Sequence, residues 1–146
     1  AEAAAMQVAA GEGWRLEHDP ARHPFVVLIG GGSDRGGGWA AELTAAEGLA
    51  LQSAVSRLRE QHAALASGLM EEESIELELE APCEGGVLWL SLEGDRRCWR
   101  LRFVLTPAAP LRALEGSWDD GASGPLAAAL ATLGLGDRPQ PQDGSA

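Results

Sequence analysis

Lysine is absent from this chain of 146 residues, and all 11 of its basic residues are arginines. Schiff-base chemistry through a lysine amine is therefore closed to it. So is a Walker-type phosphate loop, which depends on its lysine. Cysteine is scarce: Cys83 and Cys98 form no C-x-x-C pair, and the three histidines, His18, His23 and His62, are scattered without metal-ligand spacing. Reduced thiols in a cytoplasmic protein are the expectation for such a pair. No apolar run approaches the roughly 18 residues of a membrane span, and the first residues lack the charged-then-apolar layout of a signal peptide. These absences predict a soluble cytoplasmic protein with no membrane partner, no metal, no cofactor and no catalytic constellation.

What is abundant is negative charge, 22 Asp and Glu for a net charge of −11. Such a chain is a poor generic binder of nucleic acid or anionic membrane unless its arginines cluster. The length suits one domain that builds its core without staples.

The stretch from Thr44 to Glu80 organises the rest. Thr44-Ala45-Ala46-Glu47 has the spacing of a capping box, in which the Thr hydroxyl and the Glu carboxylate each take an orphan amide of the first turn. Beyond it Leu51, Val55, Leu58, His62, Leu65 and Leu69 recur at steps of four and three and share one helical face. Gly68 marks the expected end. At about 1.5 Å per residue the helix would span roughly 36 Å, long enough to need a sheet beneath it. The sheet begins at once: in Ser74 to Glu80, strict alternation points Ile75, Leu77 and Leu79 at the helix and Glu76, Glu78 and Glu80 away.

Elsewhere, Gly13 to Leu16, Phe25 to Ile29 and Trp39 to Leu43 read as strands ahead of the helix. Six of the nine residues from Gly30 to Gly38 are glycine. Their spacing is not G-x-G-x-x-G and a strand follows, so a hairpin connection is expected rather than a phosphate cradle. After Ile75 come strands at Val87 to Leu92, Cys98 to Leu105 and Arg112 to Trp118, then a short helix started by Pro125 and ending near Leu135. The predicted class is α+β, two antiparallel sheet-then-helix units in tandem (β-β-β-α-β-β-β-β-α) over residues 13–135. Residues 1–12 are expected as a loose tail and residues 136–146 as a disordered one.

A two-residue turn at Gly94-Asp95 would set Trp89 opposite Arg100. Pairing Leu105 with Arg112 would set Trp99 against Trp118 inside and Arg102 against Glu115 outside. The outer face then reads Glu78, Trp89, Arg100, Ser117 in one row and Glu80, Val87, Arg102, Glu115 in the next. Glu78, Trp89, Arg100, Arg102 and Glu115 are the candidate binding surface, since Trp and Arg lead the residues that anchor interfaces. The plain alternative is that the arginines only cover Trp89 and pair with glutamates on a solvated sheet. Arg96, Arg97, Arg100 and Arg102 form the one basic cluster, opposed by seven glutamates between Glu71 and Glu84. His62 is expected as a core residue, because no Ser, Cys or Asp is placed to make it a catalyst.

Gly13-Trp14-Arg15-Leu16, Leu28-Ile29-Gly30-Gly31, the run from Trp39 to Glu47, Leu69 to Ile75, Cys98 to Phe103 and Leu114 to Trp118 together resemble an uncharacterised cyanobacterial family of small proteins, one of the numbered domains of unknown function. The likeness spans roughly Gly13 to Leu135, and this chain departs in its glycine-rich loop and its two tails. Relatives look like either a cystatin-like helix on a sheet or the Whirly and positive-cofactor-four group, whose two sheet-helix units bind single-stranded DNA. The tandem order fits the second better. The resemblance implies a cyanobacterial cytoplasm and transfers no active site.

The expected function is a non-enzymatic binding or scaffold module with a protein partner, homo-oligomerisation being open. The alternative is single-stranded nucleic-acid binding through the second sheet. A third reading, an enzyme, needs a pocket between helix and sheet. The capping box makes a direct prediction: Thr44→Ala costs about 1 kcal/mol in denaturant titrations.

Overall fold

The computed structural model describes residues 5–33, 37–108 and 112–135. At the helix start Thr44 Oγ1 accepts from the Glu47 amide at 3.1 Å, and Glu47 Oε1 accepts from the Thr44 amide at 2.9 Å. This capping box opens α1 (Ala45–Ala66). Leu51, Val55, Leu58 and His62 are buried as the periodicity requires. The packed stripe stops there: Leu65 is 49 % exposed, and the helix ends at Ala66 with Ser67 as its cap, ahead of Gly68.

Ahead of α1 lie β1 (Gln7–Gly11), β2 (Trp14–His18), β3 (Val27–Ser33) and β4 (Gly37–Leu43). After it come β5 (Ile75–Cys83), β6 (Gly86–Gly94), β7 (Trp99–Thr106), β8 (Leu114–Trp118) and α2 (Asp120–Leu130). The strands form two antiparallel four-stranded sheets in sequence order, β1-β2-β3-β4 and β5-β6-β7-β8. Two sheets, each followed by its helix, make the tandem α+β pattern rather than a single helix on one sheet.

The first sheet has one strand more than expected. Residues 7–11, assigned to a loose tail, pair with β2 from Gln7 opposite His18 to Gly11 opposite Trp14. Their sequence has little strand propensity. What orders them is the two-residue turn Glu12-Gly13, where Gly13 takes φ +84°, a conformation costly for any other residue. Phe25, placed by sequence in the next strand, is 45 % exposed and lies before it. Residues 136–146 lie outside the described residues.

The glycine-rich segment is a hairpin, yet most of it is strand: Gly30, Gly31 and Gly32 belong to β3, Gly37 and Gly38 to β4, and only the tip falls outside the described residues. The glycines make room for rings. A Cβ on Gly31 would lie 2.7 Å from Trp39 Nε1 and 3.0 Å from Trp118 Cδ1. One on Gly116 of β8 would lie 2.4 Å from the Trp39 ring. Trp39 thus packs between the sheets, 5.2 Å from Trp118 and 5.8 Å from Phe103 between ring centroids, and its Nε1 donates to Ser117 O at 3.1 Å. Trp118 is buried and donates from Nε1 to Gly30 O at 2.8 Å.

α1 packs on β5 and β6, and α2 lies between β7 and the first sheet's β2 and β1. α2 starts five residues before Pro125. Asp119 caps it, accepting from the Ala122 amide at 3.0 Å, and Pro125 sits inside. Buried Ser123 ties the helix start to the second sheet: its hydroxyl accepts from the Leu101 amide at 3.0 Å and lies 2.8 Å from the Trp118 and Asp119 carbonyls. His62 is a core residue as expected, its Nε2 2.9 Å from Asp95 O and its ring 6.0 Å from that of Trp99.

Two substitutions test this packing in denaturant titrations. Leu58→Ala, at a fully buried position, costs about 2–5 kcal/mol. Gly116→Ala costs about 1–3 kcal/mol despite adding one methyl, because a tryptophan ring occupies its place. A neutral result at Gly116 would mean that Trp39 is not seated there.

Candidate functional site

Alternation sorts the second sheet into two faces. Leu88, Leu90, Leu92, Leu101, Phe103 and Leu105 are buried beneath the helices, while Glu76, Glu78, Glu80, Glu93, Arg100, Arg102 and Glu115 are exposed on the other side. The rows across this outer face differ from those read in the sequence. Trp89 lies opposite Glu80 and Val104, and Arg102 lies opposite Ser91 and Ser117.

Between β6 and β7 the cause is the turn. It spans Asp95 to Cys98 and leaves Gly94 paired with Trp99, where a two-residue turn would have set Glu93 opposite Arg96. Asp95 Oδ1 accepts from the Arg97 and Cys98 amides, both at 2.8 Å, and the Asp95 amide donates to Cys98 O at 3.0 Å. Every slip is by an even number of residues, so each side chain stays on its predicted face.

The corrected register brings four of the five candidate residues together on diagonals. Trp89 Nε1 donates to Glu78 Oε1 at 3.3 Å. The Arg102 guanidinium lies 5.4 Å from the Trp89 ring centroid and donates to Glu115 Oε1 at 2.9 Å. A polar chain of Glu78, Trp89, Arg102 and Glu115 therefore crosses all four strands, and Ser91, between Glu78 and Arg102 in the ladder, is buried. Arg102, not Arg100, is the arginine over the tryptophan. Arg100 sits opposite Glu93, by a shallow cleft it shares with Glu72, Asp95 and Asp120.

The basic cluster of the sequence is dispersed. Arg97 pairs with Glu71 at 3.5 Å and Arg96 reaches Leu69 O, also at 3.5 Å, so both serve the α1–β5 connection. The outer face carries five carboxylates, Glu76, Glu78, Glu80, Glu93 and Glu115, against Arg100 and Arg102.

Sequence reasoning missed a second polar row, on the outer face of the first sheet. Arg15 pairs with Glu17, and Arg22 lies 3.8 Å from both Glu17 and Glu42. The Arg15-x-Glu17 alternation was the available signal. Next to it an open groove is lined by Phe25, Leu28, Ala40, Pro107, Arg112 and Leu114 among others.

Of the two free thiols, exposed Cys98 borders the cleft beside Arg100 and Cys83 is buried. Burial, together with the Glu47 and Glu84 carboxylates, pushes the Cys83 thiol up, away from the nucleophilic thiolate. Leu51, Val55, Leu58, Leu90 and Leu92 belong to one buried cluster, so the layer between α1 and the second sheet is packed rather than open. Among the described residues, no group of three or more His, Cys, Asp or Glu is placed to hold a metal, and no helix is long and apolar enough to cross a membrane.

Backbone amides of Cys98 and Arg97 hold the Asp95 carboxyl below the usual aspartate range. A depressed folded-state value means that the turn's share of stability is present above the ordinary range and is lost as pH falls through the lower one. NMR shifts of the Arg97 and Cys98 amides should titrate with a midpoint below that of a free aspartate, and Asp95→Ala should abolish the transition.

A crystal structure of a protein of unknown function from the DUF155 family of Prochlorococcus sp. NATL2A is similar to this chain. It is 32 % identical with a TM-score of 0.72, over 86 % of this chain and 96 % of that one. No curated protein matches. The family described as domain of unknown function DUF1818 matches residues 9–133, which take in nearly every strand and helix above, and the chain belongs to that family.

Proposed function

We propose that this protein is a non-enzymatic binding module that recognises a protein partner through the outer face of its second sheet. The observation that carries the reading is the chain from Glu78 through Trp89 and Arg102 to Glu115 on the face of the second sheet whose glutamates and arginines are exposed. A large ring held in place by its own hydrogen bond and a guanidinium loses little side-chain entropy when a partner docks on it, which is what a recognition anchor requires. The surplus of carboxylates around it favours a partner bearing arginine or lysine.

The same carboxylates count against single-stranded nucleic acid, even though the tandem sheet-helix order resembles the Whirly and positive-cofactor-four group. Base stacking on Trp89 would bring phosphates against five glutamates, with Arg102 already engaged by Glu115. Two free thiols, Cys83 and Cys98, suit a cytoplasmic setting.

The experiment compares immobilised wild type with the double variant Trp89→Ser, Arg102→Ser in capture from a lysate of the source organism, with bound proteins identified by mass spectrometry. A protein held by wild type, released by raised salt and lost from a folded double variant is the expected result. Equal capture by both forms would overturn the reading. Salt-dependent binding of labelled single strands, lost in the double variant, would replace it with the nucleic-acid alternative.

A further inference from the structure

We propose that β1 is a self-association edge. Two copies pair β1 to β1, antiparallel about a two-fold axis at Ala9, and join their first sheets into one continuous sheet of eight strands.

The inference comes from comparing the four sheet edges, β1 and β4 of the first sheet and β5 and β8 of the second. An edge strand offers unpaired amides and carbonyls to any passing strand, and folded proteins guard such edges with charge, proline or cover. β5 is guarded by Glu76, Glu78 and Glu80 and by Pro82, which has no amide to donate. β4 and β8 shield one another, joined by the Trp39 to Ser117 hydrogen bond. Among the described residues β1 has none of these devices. It reads Gln7-Val8-Ala9-Ala10-Gly11, uncharged and without proline, and pairs with β2 in unbroken register. Among the described residues no strand pairs with its other side, and Val8 and the neighbouring Met6 are 56 % and 54 % exposed.

A second copy suits this edge better than an arbitrary strand. Pairing about Ala9 sets Gln7 of each copy opposite Gly11 of the other and Val8 opposite Ala10. No like charges meet, and no bulky side chains collide. An isologous contact of this kind closes at two copies, leaving no edge of the same type. The net charge of −11 on each chain opposes association in general, so a neutral segment is where two copies meet at the least electrostatic cost. In the joined sheet Val8 and Ala10 of both copies form a small apolar strip on the outer face.

Light scattering on the full chain, at increasing concentration, should give the mass of a dimer. Val8→Lys combined with Ala10→Lys puts lysine opposite lysine at both ends of the pairing, and should return the mass to that of a monomer with an unchanged circular dichroism spectrum. Ala9→Cys, in a Cys98→Ser background, places two thiols across the axis and should give a covalent dimer on mild oxidation; this readout decides the matter if the lysine variant fails to fold. A wild type that stays monomeric at its highest soluble concentration overturns the proposal. So does a dimer that survives the lysine pair and fails to cross-link at position 9.

Discussion

The structure hangs on the seam where its two sheets meet. Two four-stranded sheets that only meander share no strand pairing, so their relative position has to come from side chains. It comes from Trp118, the last residue of the last strand. Its ring stacks on Phe103 at 5.7 Å, and its indole nitrogen reaches Gly30 O in the other sheet. A buried N–H left without an acceptor costs about 1–3 kcal/mol, so this bond both fills the seam and fixes its alignment. Trp39 makes the reciprocal reach from the first sheet to the Ser117 carbonyl. α2 begins immediately after this seam, and its buried Ser123 takes up the Leu101 amide, so the helix position depends on the same few residues.

The architecture was largely legible because the physics that sets it is local. The capping box at Thr44, the stripe from Leu51 to His62 and the alternation after Ile75 each imply burial of one face, and burial of one face implies a layer to cover it. What escaped the sequence depended on contacts that local pattern does not encode. β1 is a run of small residues ordered by its neighbour strand and by the backbone of Gly13. The start of α2 was read from Pro125, whereas the side chain of Asp119 sets it. The glycines of β3 looked like a loop, because nothing in their spacing announces that two tryptophans from elsewhere need the room.

The outer face of the second sheet was legible in composition but not in arrangement. Side-chain period two fixes which face each residue joins, and that held for Glu78, Trp89, Arg100, Arg102 and Glu115 alike. Which of them touch depends on the turn. Asp95 closes a longer loop by accepting two backbone amides, and that choice moves Arg102 rather than Arg100 over the ring. Diagonal neighbours on a sheet lie close enough for long side chains to meet, so the expected pair of Arg102 and Glu115 survives although the two are no longer directly opposite.

The fit of Trp39 against Gly31 and Gly116 has a consequence for how such a chain can drift. Neither glycine gains a side chain while the ring is in place, and the ring has nowhere else to go while the strands stay paired. Shrinking the ring first opens a void and then frees both glycines to change, whereas enlarging either glycine first forces the sheets apart. The three positions, 77 residues apart between Trp39 and Gly116, therefore form one heritable unit with a preferred order of change. In distant relatives the identity of the residue at position 39 should foretell what stands at the other two.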